Sequence, residues 1–80
     1  MVKPLSLCNE NLVTLFMDIV MSRFMGLPDP KLKKARAWYS FLDGWHYKAI
    51  VTYRNSGHTE YASFDIPEKD LKQIFQNKTA

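Results

Sequence analysis

Two short turn signals divide the second half of this chain into three runs rich in aromatic and β-branched residues. An Asp-Gly pair at 43–44 separates residues 37–42 from 45–54, and Asn-Ser-Gly-His at 55–58 separates 45–54 from 59–66. Asp-Gly between such runs favours a β-hairpin, because both central positions of a two-residue turn need a positive φ. The sequence therefore predicts a three-stranded antiparallel meander.

The two turns also predict the register of the strands. Leu42 is expected opposite Trp45, and Arg54 opposite Thr59. Both hairpins then place the same residues on one face, which supports the register, because a slip of one residue exchanges the two faces. One predicted face comprises Trp38, Leu42, Trp45, Tyr47, Ala49, Val51, Ala62, Phe64 and Ile66. The opposite, outer face comprises Tyr39, Phe41, His46, Lys48, Ile50, Thr52, Tyr61, Ser63 and Asp65.

A helix is predicted on each side of the meander. Residues 9–25 begin with Asn9, a good capping residue, and are followed by Gly26, which suits a helix end. Residues 67–77 begin with Pro67, which is favoured at the first helical position. Both helices carry apolar residues that need the sheet, so the expected fold class is a two-layer α+β domain.

The segment between the first helix and the meander is ambiguous. Residues 27–36 are predicted as a basic linker, either a loop or one helical turn. Asp29-Pro30 is also a good helix start, so residues 31–42 remain open between helix and strand. The Asp-Gly signal favours the strand for residues 37–42.

Composition limits the remaining possibilities. Eighty residues form a single domain, 1–80, and a hydrophobic fraction of 46% excludes a disordered tail. Cys8 is the single cysteine, so an internal disulfide is excluded, as is a zinc site of the usual Cys/His type. Thr14 and Asp18 interrupt the apolar stretch near the N-terminus, and no leader pattern precedes it. We expect a cytoplasmic protein without cofactor, metal or membrane contact.

The first helix has more apolar surface than a surface helix normally shows. Ten of its residues are apolar, and one small sheet does not obviously need them all. We expect part of this surface to form a homodimer or to bind a protein target; full burial within one chain is the alternative. The candidate interface residues are Phe16, Met17, Met21, Phe24 and Met25, because Met and Phe suit adaptable apolar interfaces.

Catalysis is not indicated by the sequence. In the predicted register His46 begins the second strand and His58 follows its end, so roughly 30 Å separates them. Two local pairs remain, Asp43 with His46 and His58 with Glu60. The three glycines lie at predicted turns, so no phosphate-binding glycine loop is present in the sequence. We expect a protein that is not an enzyme.

Basic and aromatic residues point instead to a small regulatory protein that binds nucleic acid, DNA above all. Phosphate contacts require clustered Lys and Arg, and aromatic rings on an open sheet can stack on bases. The predicted residues are Lys31, Lys33, Lys34, Arg36, Lys48 and Arg54, with Tyr39 and Tyr61 as stacking residues. In element order, a meander followed by a helix is similar to small domains that bind DNA through a sheet, such as integrase arm-binding domains. The alternatives are a merely solvated basic surface and a protein-directed inhibitor or adaptor that docks through the first helix.

Overall fold

The structure, a computed structural model, describes residues 1–79 as four antiparallel strands and two helices. In chain order these are β1 (Val2–Pro4), a 3-10 turn (Leu5–Leu7), α1 (Glu10–Phe24), β2 (Lys31–Ser40), β3 (Gly44–Asn55), β4 (His58–Pro67) and α2 (Glu68–Thr79). The strands lie in the order β1-β2-β3-β4, and both helices pack on one face of the sheet. The predicted α+β class is confirmed, but the prediction of three strands is wrong because β1 adds a fourth.

The short strand β1 pairs with the edge of β2. Val2 lies opposite Trp38, and the N–H of Tyr39 donates to the carbonyl of Met1 over 2.9 Å. Three residues are too few to show the alternation that identifies a strand in a sequence. Pro4 lacks an N–H donor, which a position at the edge of a sheet tolerates.

Helix α1 forms where the sequence predicts it. The side chain of Asn9 accepts hydrogen bonds from the backbone N–H groups of Asn11 (2.9 Å) and Leu12 (3.3 Å), so it caps the first turn. The carboxylate of Glu10 lies in that turn, where the helix dipole favours negative charge. The observed bounds differ from residues 9–25 by one residue at each end.

The prediction of a basic linker over residues 27–36 is wrong. Strand β2 already begins at Lys31, so most of 27–36 belongs to the sheet. The underlying pattern has a period of two, since Ala35 and Ala37 face the helices while the side chains of Lys34 and Arg36 face away. A bulge at Lys33 interrupts the pairing between Leu32 and Lys34. Clustered cations resemble a solvated loop in the sequence, and pairing with β3 overrides that tendency.

The register predicted for the first hairpin is also wrong. Tyr39, not Leu42, lies opposite Trp45, and three residues, 41–43, form the turn. Gly44 supplies the positive φ (83°) directly after this turn, so Asp-Gly is not the centre of a two-residue turn. The offset of three residues exchanges the faces of β2. Trp38 therefore lies on the outer face and Tyr39 on the helix-covered face.

The second hairpin agrees with the prediction. Arg54 lies opposite Thr59, and the same register continues along the whole of β4. Its two central turn residues, Ser56 and Gly57, have φ values of 53° and 82°, as a two-residue hairpin turn requires.

Tyr47 lies at the centre of the core. Its side chain is fully buried, and its ring meets Phe16 of α1 edge to face, with 5.7 Å between centroids. Its hydroxyl donates to Oε2 of Glu68, the first residue of α2, over 2.9 Å. Burial, and after it the Glu68 carboxylate, raises the pKa of the Tyr47 phenol well above its usual value. The buried apolar core comprises Leu12, Leu15, Phe16, Val20, Phe24, Ala37, Tyr47, Ala49, Val51 and Leu71.

The sheet covers most of the apolar surface of α1 within one chain. Phe16 and Phe24 are buried in the core, which removes both from the set of residues open to a partner. Met17 is half-buried against the core. Met21 and Met25 remain open to solvent, with exposed fractions of 50% and 81%.

Replacing the phenol tests the bond between Tyr47 and Glu68. We expect Tyr47→Phe to lower the free energy of unfolding by about 1–3 kcal/mol at pH 7, because it removes a hydrogen bond to a charged group. The raised pKa favours the folded state below pH 10, and this contribution is lost as the pH rises from 10 towards the folded pKa. The advantage of the natural protein over Tyr47→Phe therefore decreases by up to about 1.4 kcal/mol per pH unit.

Urea titrations at several values between pH 7 and pH 11.5 measure this difference. The matched control is Tyr61→Phe, which alters an exposed phenol and keeps Tyr47. It should retain the alkaline loss of the natural protein. A pH-independent difference between the natural protein and Tyr47→Phe would contradict the assignment.

Shortening α1 side chains separates core from surface positions. Phe16→Ala is expected to cost about 3–5 kcal/mol of stability, because it leaves a cavity against Tyr47. Met21→Ala should stay within about 0.5 kcal/mol, since half of that side chain is already in solvent. Urea midpoints provide the comparison, with Phe16→Leu as the milder substitute if the alanine variant does not fold. Equal losses at both positions would refute the burial pattern.

Candidate nucleic-acid interface

The face of the sheet opposite the helices is open, and we call it the outer face. Alternation along each strand brings six cations, three aromatic rings and one acid to it or to its rim. In strand order it comprises Val2 and Pro4; Lys31, Lys33 at the bulge, Lys34, Arg36, Trp38 and Ser40; His46, Lys48, Ile50, Thr52 and Arg54; and Thr59, Tyr61, Ser63 and Asp65.

Three cations lie together at the centre of the outer face. Arg36 on β2 is directly opposite Lys48 on β3, and Lys34 lies two residues from Arg36 along β2. Directly opposed side chains on adjacent strands have Cβ atoms about 5 Å apart, where like charges are destabilising. Among residues 1–79 none of the three forms an ion pair. The acid of the outer face, Asp65, lies opposite Lys48 without forming an ion pair with any of these three cations, so the centre of the face keeps a net positive charge.

The acid of the outer face, Asp65, accepts hydrogen bonds from two aromatic ring nitrogens. Asp65 lies opposite Lys48, and its Oδ2 accepts from Nε1 of Trp38 over 2.8 Å. Its Oδ1 lies 2.8 Å from Nδ1 of His46 and accepts from that nitrogen. The indole and imidazole rings stack, with 4.4 Å between centroids and 24° between planes. These contacts hold the Trp38 ring in one orientation.

His46 supports Trp38 from a position that solvent barely reaches. The residue is only 8% exposed, and its Nε2 lies 3.3 Å from Oδ2 of Asp43 without forming a hydrogen bond. Asp43 in turn lies 3.7 Å from Nζ of Lys69 on α2. The predicted pair of Asp43 and His46 is thus present. The imidazole is buried, so it is not open to a ligand.

A cavity of about 380 Å³ opens on this face beside Trp38. That volume falls within the range of small-molecule sites, about 300–1,000 Å³. One part of its wall is apolar and another is cationic. It is lined by Val2, Lys34, Arg36, Trp38, Lys48, Ile50 and Asp65.

Of the other residues predicted to bind nucleic acid, some lie open on the outer face, whereas Lys31 lies near an acid. Tyr61 is exposed on the outer face, and Nζ of Lys33 lies 5.1 Å from its ring centroid, within cation–π distance. Arg54 lies on the same face, near the second turn. Lys31 lies 3.7 Å from Asp29, so its charge is partly compensated.

Tyr39 does not belong to the outer face. Its ring packs edge to face against Trp45 on the opposite side of the sheet, with 5.4 Å between centroids. Nζ of Lys3 lies 4.1 Å from the Trp45 ring on that side. The prediction that Tyr39 is a stacking residue of the outer face is therefore wrong. The shifted register of β2 places its ring on the other side of the sheet.

The aromatic residue that the sequence analysis missed is Trp38. The register with Leu42 opposite Trp45 predicts this residue on the helix-covered face. The alternation of Ala35 and Ala37 with Lys34 and Arg36 was the signal that could have corrected this. Because successive side chains of a strand point to opposite faces, Ala35 and Ala37 in the core place Lys34, Arg36 and Trp38 on the outer face.

Comparisons with protein-family models, with curated proteins and with solved structures found no match. Within residues 1–79 no helix has the length and apolarity needed to cross a membrane. In the same part of the chain, no three His, Cys, Asp or Glu side chains are grouped as metal ligands. The outer face, with its geometry and charge, is therefore the feature of this chain from which a function can be inferred.

Substituting Asp65 tests the support of Trp38. We expect Asp65→Asn to lower the free energy of unfolding by about 1–3 kcal/mol, because the amide replaces one acceptor oxygen by a donor that faces a ring N–H. The near-ultraviolet circular dichroism of Trp38, measured in a Trp45→Phe background, should decrease as the ring becomes more mobile. Ser63→Ala, on the same strand and face, should leave both quantities unchanged. An unaltered Trp38 signal in Asp65→Asn would contradict this account.

Proposed function

We propose that this chain is a small regulatory protein that binds nucleic acid, with DNA as the principal ligand, through the outer face of its sheet. The single observation that carries the proposal is the opposition of Arg36 and Lys48, with Lys34 beside them and no acid paired to any of the three within residues 1–79. A structure retains such like-charge neighbours at a cost in stability. A bound polyanion removes that cost.

The charges extend along the strands as a polyanion requires. From Trp38 to Tyr61 the face covers three steps of two residues, or roughly 20 Å. The three central cations lie between these rings, while Lys33 lies at Tyr61 and Arg54 beyond it. A backbone that follows this line meets several positive charges in succession, and phosphates bound there release condensed counterions.

The opposite side of the molecule supports a second candidate only weakly. Met21 and Met25 are the exposed remainder of the apolar surface of α1. A homodimer formed through α1, or an inhibitor or adaptor that docks on a protein target through α1, would use these two residues and the half-buried Met17. We keep this as the alternative. Light scattering at micromolar concentration measures the molecular mass in solution, and a homodimer requires twice the mass of one chain.

A charge-matched pair of variants tests the nucleic-acid proposal. The first combines Lys34→Gln, Arg36→Gln and Lys48→Gln on the outer face. The second combines Lys69→Gln, Lys72→Gln and Lys78→Gln on α2, so that both lose three positive charges from a net charge of +3. The first should weaken binding of a short DNA at least tenfold, whereas the second should change it by less than threefold.

Binding is measured by fluorescence anisotropy at salt concentrations from 50 to 200 mM. The slope of log K against log salt should become less negative by about 1 for each phosphate-contacting cation removed from the outer face. Equal losses in both variants would indicate attraction by net charge alone. No binding by the natural protein at low salt would refute the proposed function.

A further inference from the structure

We propose that the nucleic acid bound here is unpaired, and that one of its bases stacks on Trp38 in the cavity while Lys34, Arg36 and Lys48 hold the adjoining phosphates. This inference rests on the proposed function and makes it more specific. It also assigns a role to the aromatic residue that lies among the cations.

The cavity matches the two parts of a nucleotide. Val2, Ile50 and the indole of Trp38 form an apolar wall suited to a flat base. Lys34, Arg36 and Lys48 provide the cationic wall of the same cavity, and its one lining acid, Asp65, is engaged by the ring nitrogens of Trp38 and His46. A phosphate next to a stacked base needs positive charge within a few ångströms of the aromatic ring, and this cavity supplies both.

Trp38 is held in place before any ligand arrives. Its Nε1 is bonded to Asp65, and the face that stacks on His46 is covered. His46 does not line the cavity, so the ring surface that Trp38 presents there is one that His46 leaves free. A side chain already fixed in one orientation loses little entropy on binding, which favours a stacking role.

The width of the sheet distinguishes unpaired from paired ligands. At the level of Trp38 the sheet is four strands wide, since Val2, Trp38, His46 and Pro67 lie side by side. Three strand spacings of about 4.8 Å give roughly 14 Å between the outer backbones. The major groove, about 12 Å wide, admits an α-helix or a two-stranded ribbon and is narrower than this face.

Stacking leads to the same conclusion. In a duplex both faces of a base are covered by its neighbours, and only base edges are reached from the grooves. The ring of Trp38 needs the face of a base, which an unpaired strand offers without breaking base pairs. Single-stranded DNA and single-stranded RNA share this chemistry.

Four ligands of equal phosphate number test the inference against the natural protein. They are a single-stranded DNA, a single-stranded RNA of the same sequence, the corresponding DNA duplex, and a DNA strand with abasic sites throughout. We expect the unpaired strands to bind at least tenfold more tightly than the duplex. The abasic strand should bind about 5- to 150-fold more weakly than the DNA strand, the range given by one stacked base.

Two substitutions at one position locate the stacked base. Trp38→Leu should weaken binding of the DNA strand to the level of the abasic strand, whereas Trp38→Phe, which keeps a ring, should recover most of the loss. Neither should alter binding of the abasic strand. In a Trp45→Phe background, the fluorescence of Trp38 should be quenched by the DNA strand and unchanged by the abasic one. This readout needs no change at position 38, so it stands even if Trp38→Leu fails to fold.

The outcomes separate this inference from the proposed function. Equal binding of abasic and base-containing strands, or tighter binding of the duplex, would overturn the inference and leave phosphate binding intact. Absence of binding to all four ligands at low salt would overturn both. A preference for RNA over DNA would support the unpaired ligand and correct the choice of DNA.

Discussion

The burial of Tyr47 is the interaction on which the rest of the structure depends. Its ring lies against Phe16 of α1, and its hydroxyl is bonded to Glu68 at the start of α2. One residue of the central strand thus ties both helices to the same face of the sheet. The other face is left open, and the strand pleat then decides which side chains it presents. The position of every candidate binding residue follows from this arrangement.

Small residues on the covered face complete that arrangement. Ala37 and Ala49 are fully buried in the core beneath the helices. Arg36 and Lys48 are their neighbours in sequence and therefore face solvent. The same alternation that makes the core compact thus places two cations directly opposite each other. Like charges directly opposite each other are destabilising, and Asp65, opposite Lys48 on the other side, is the acid that lies beside this pair.

The extent to which the fold could be predicted varies with the type of signal. Asn9 identified the start of α1 because capping is a local interaction within three residues. Ser56-Gly57 determined the second hairpin because both residues adopt the positive φ that a two-residue turn requires. Gly44 was a weaker guide, since one positive φ fits loops of more than one length. For this reason the register predicted for the first hairpin is wrong by three residues, and the face predicted for Trp38 is wrong with it.

The sequence by itself determined the N-terminal cap of α1, the second turn and the concentration of cations near the start of β2, because each depends on neighbours along the chain. Only the tertiary structure decided that this basic segment is a strand, that β1 widens the sheet to four strands, and that Trp38 rather than Tyr39 lies among the cations. These features depend on which strands pair and in what register. The strand pairing and register are stabilised by the packing of Tyr47 and the buried alanines under the helices. This packing joins residues that are distant in the chain.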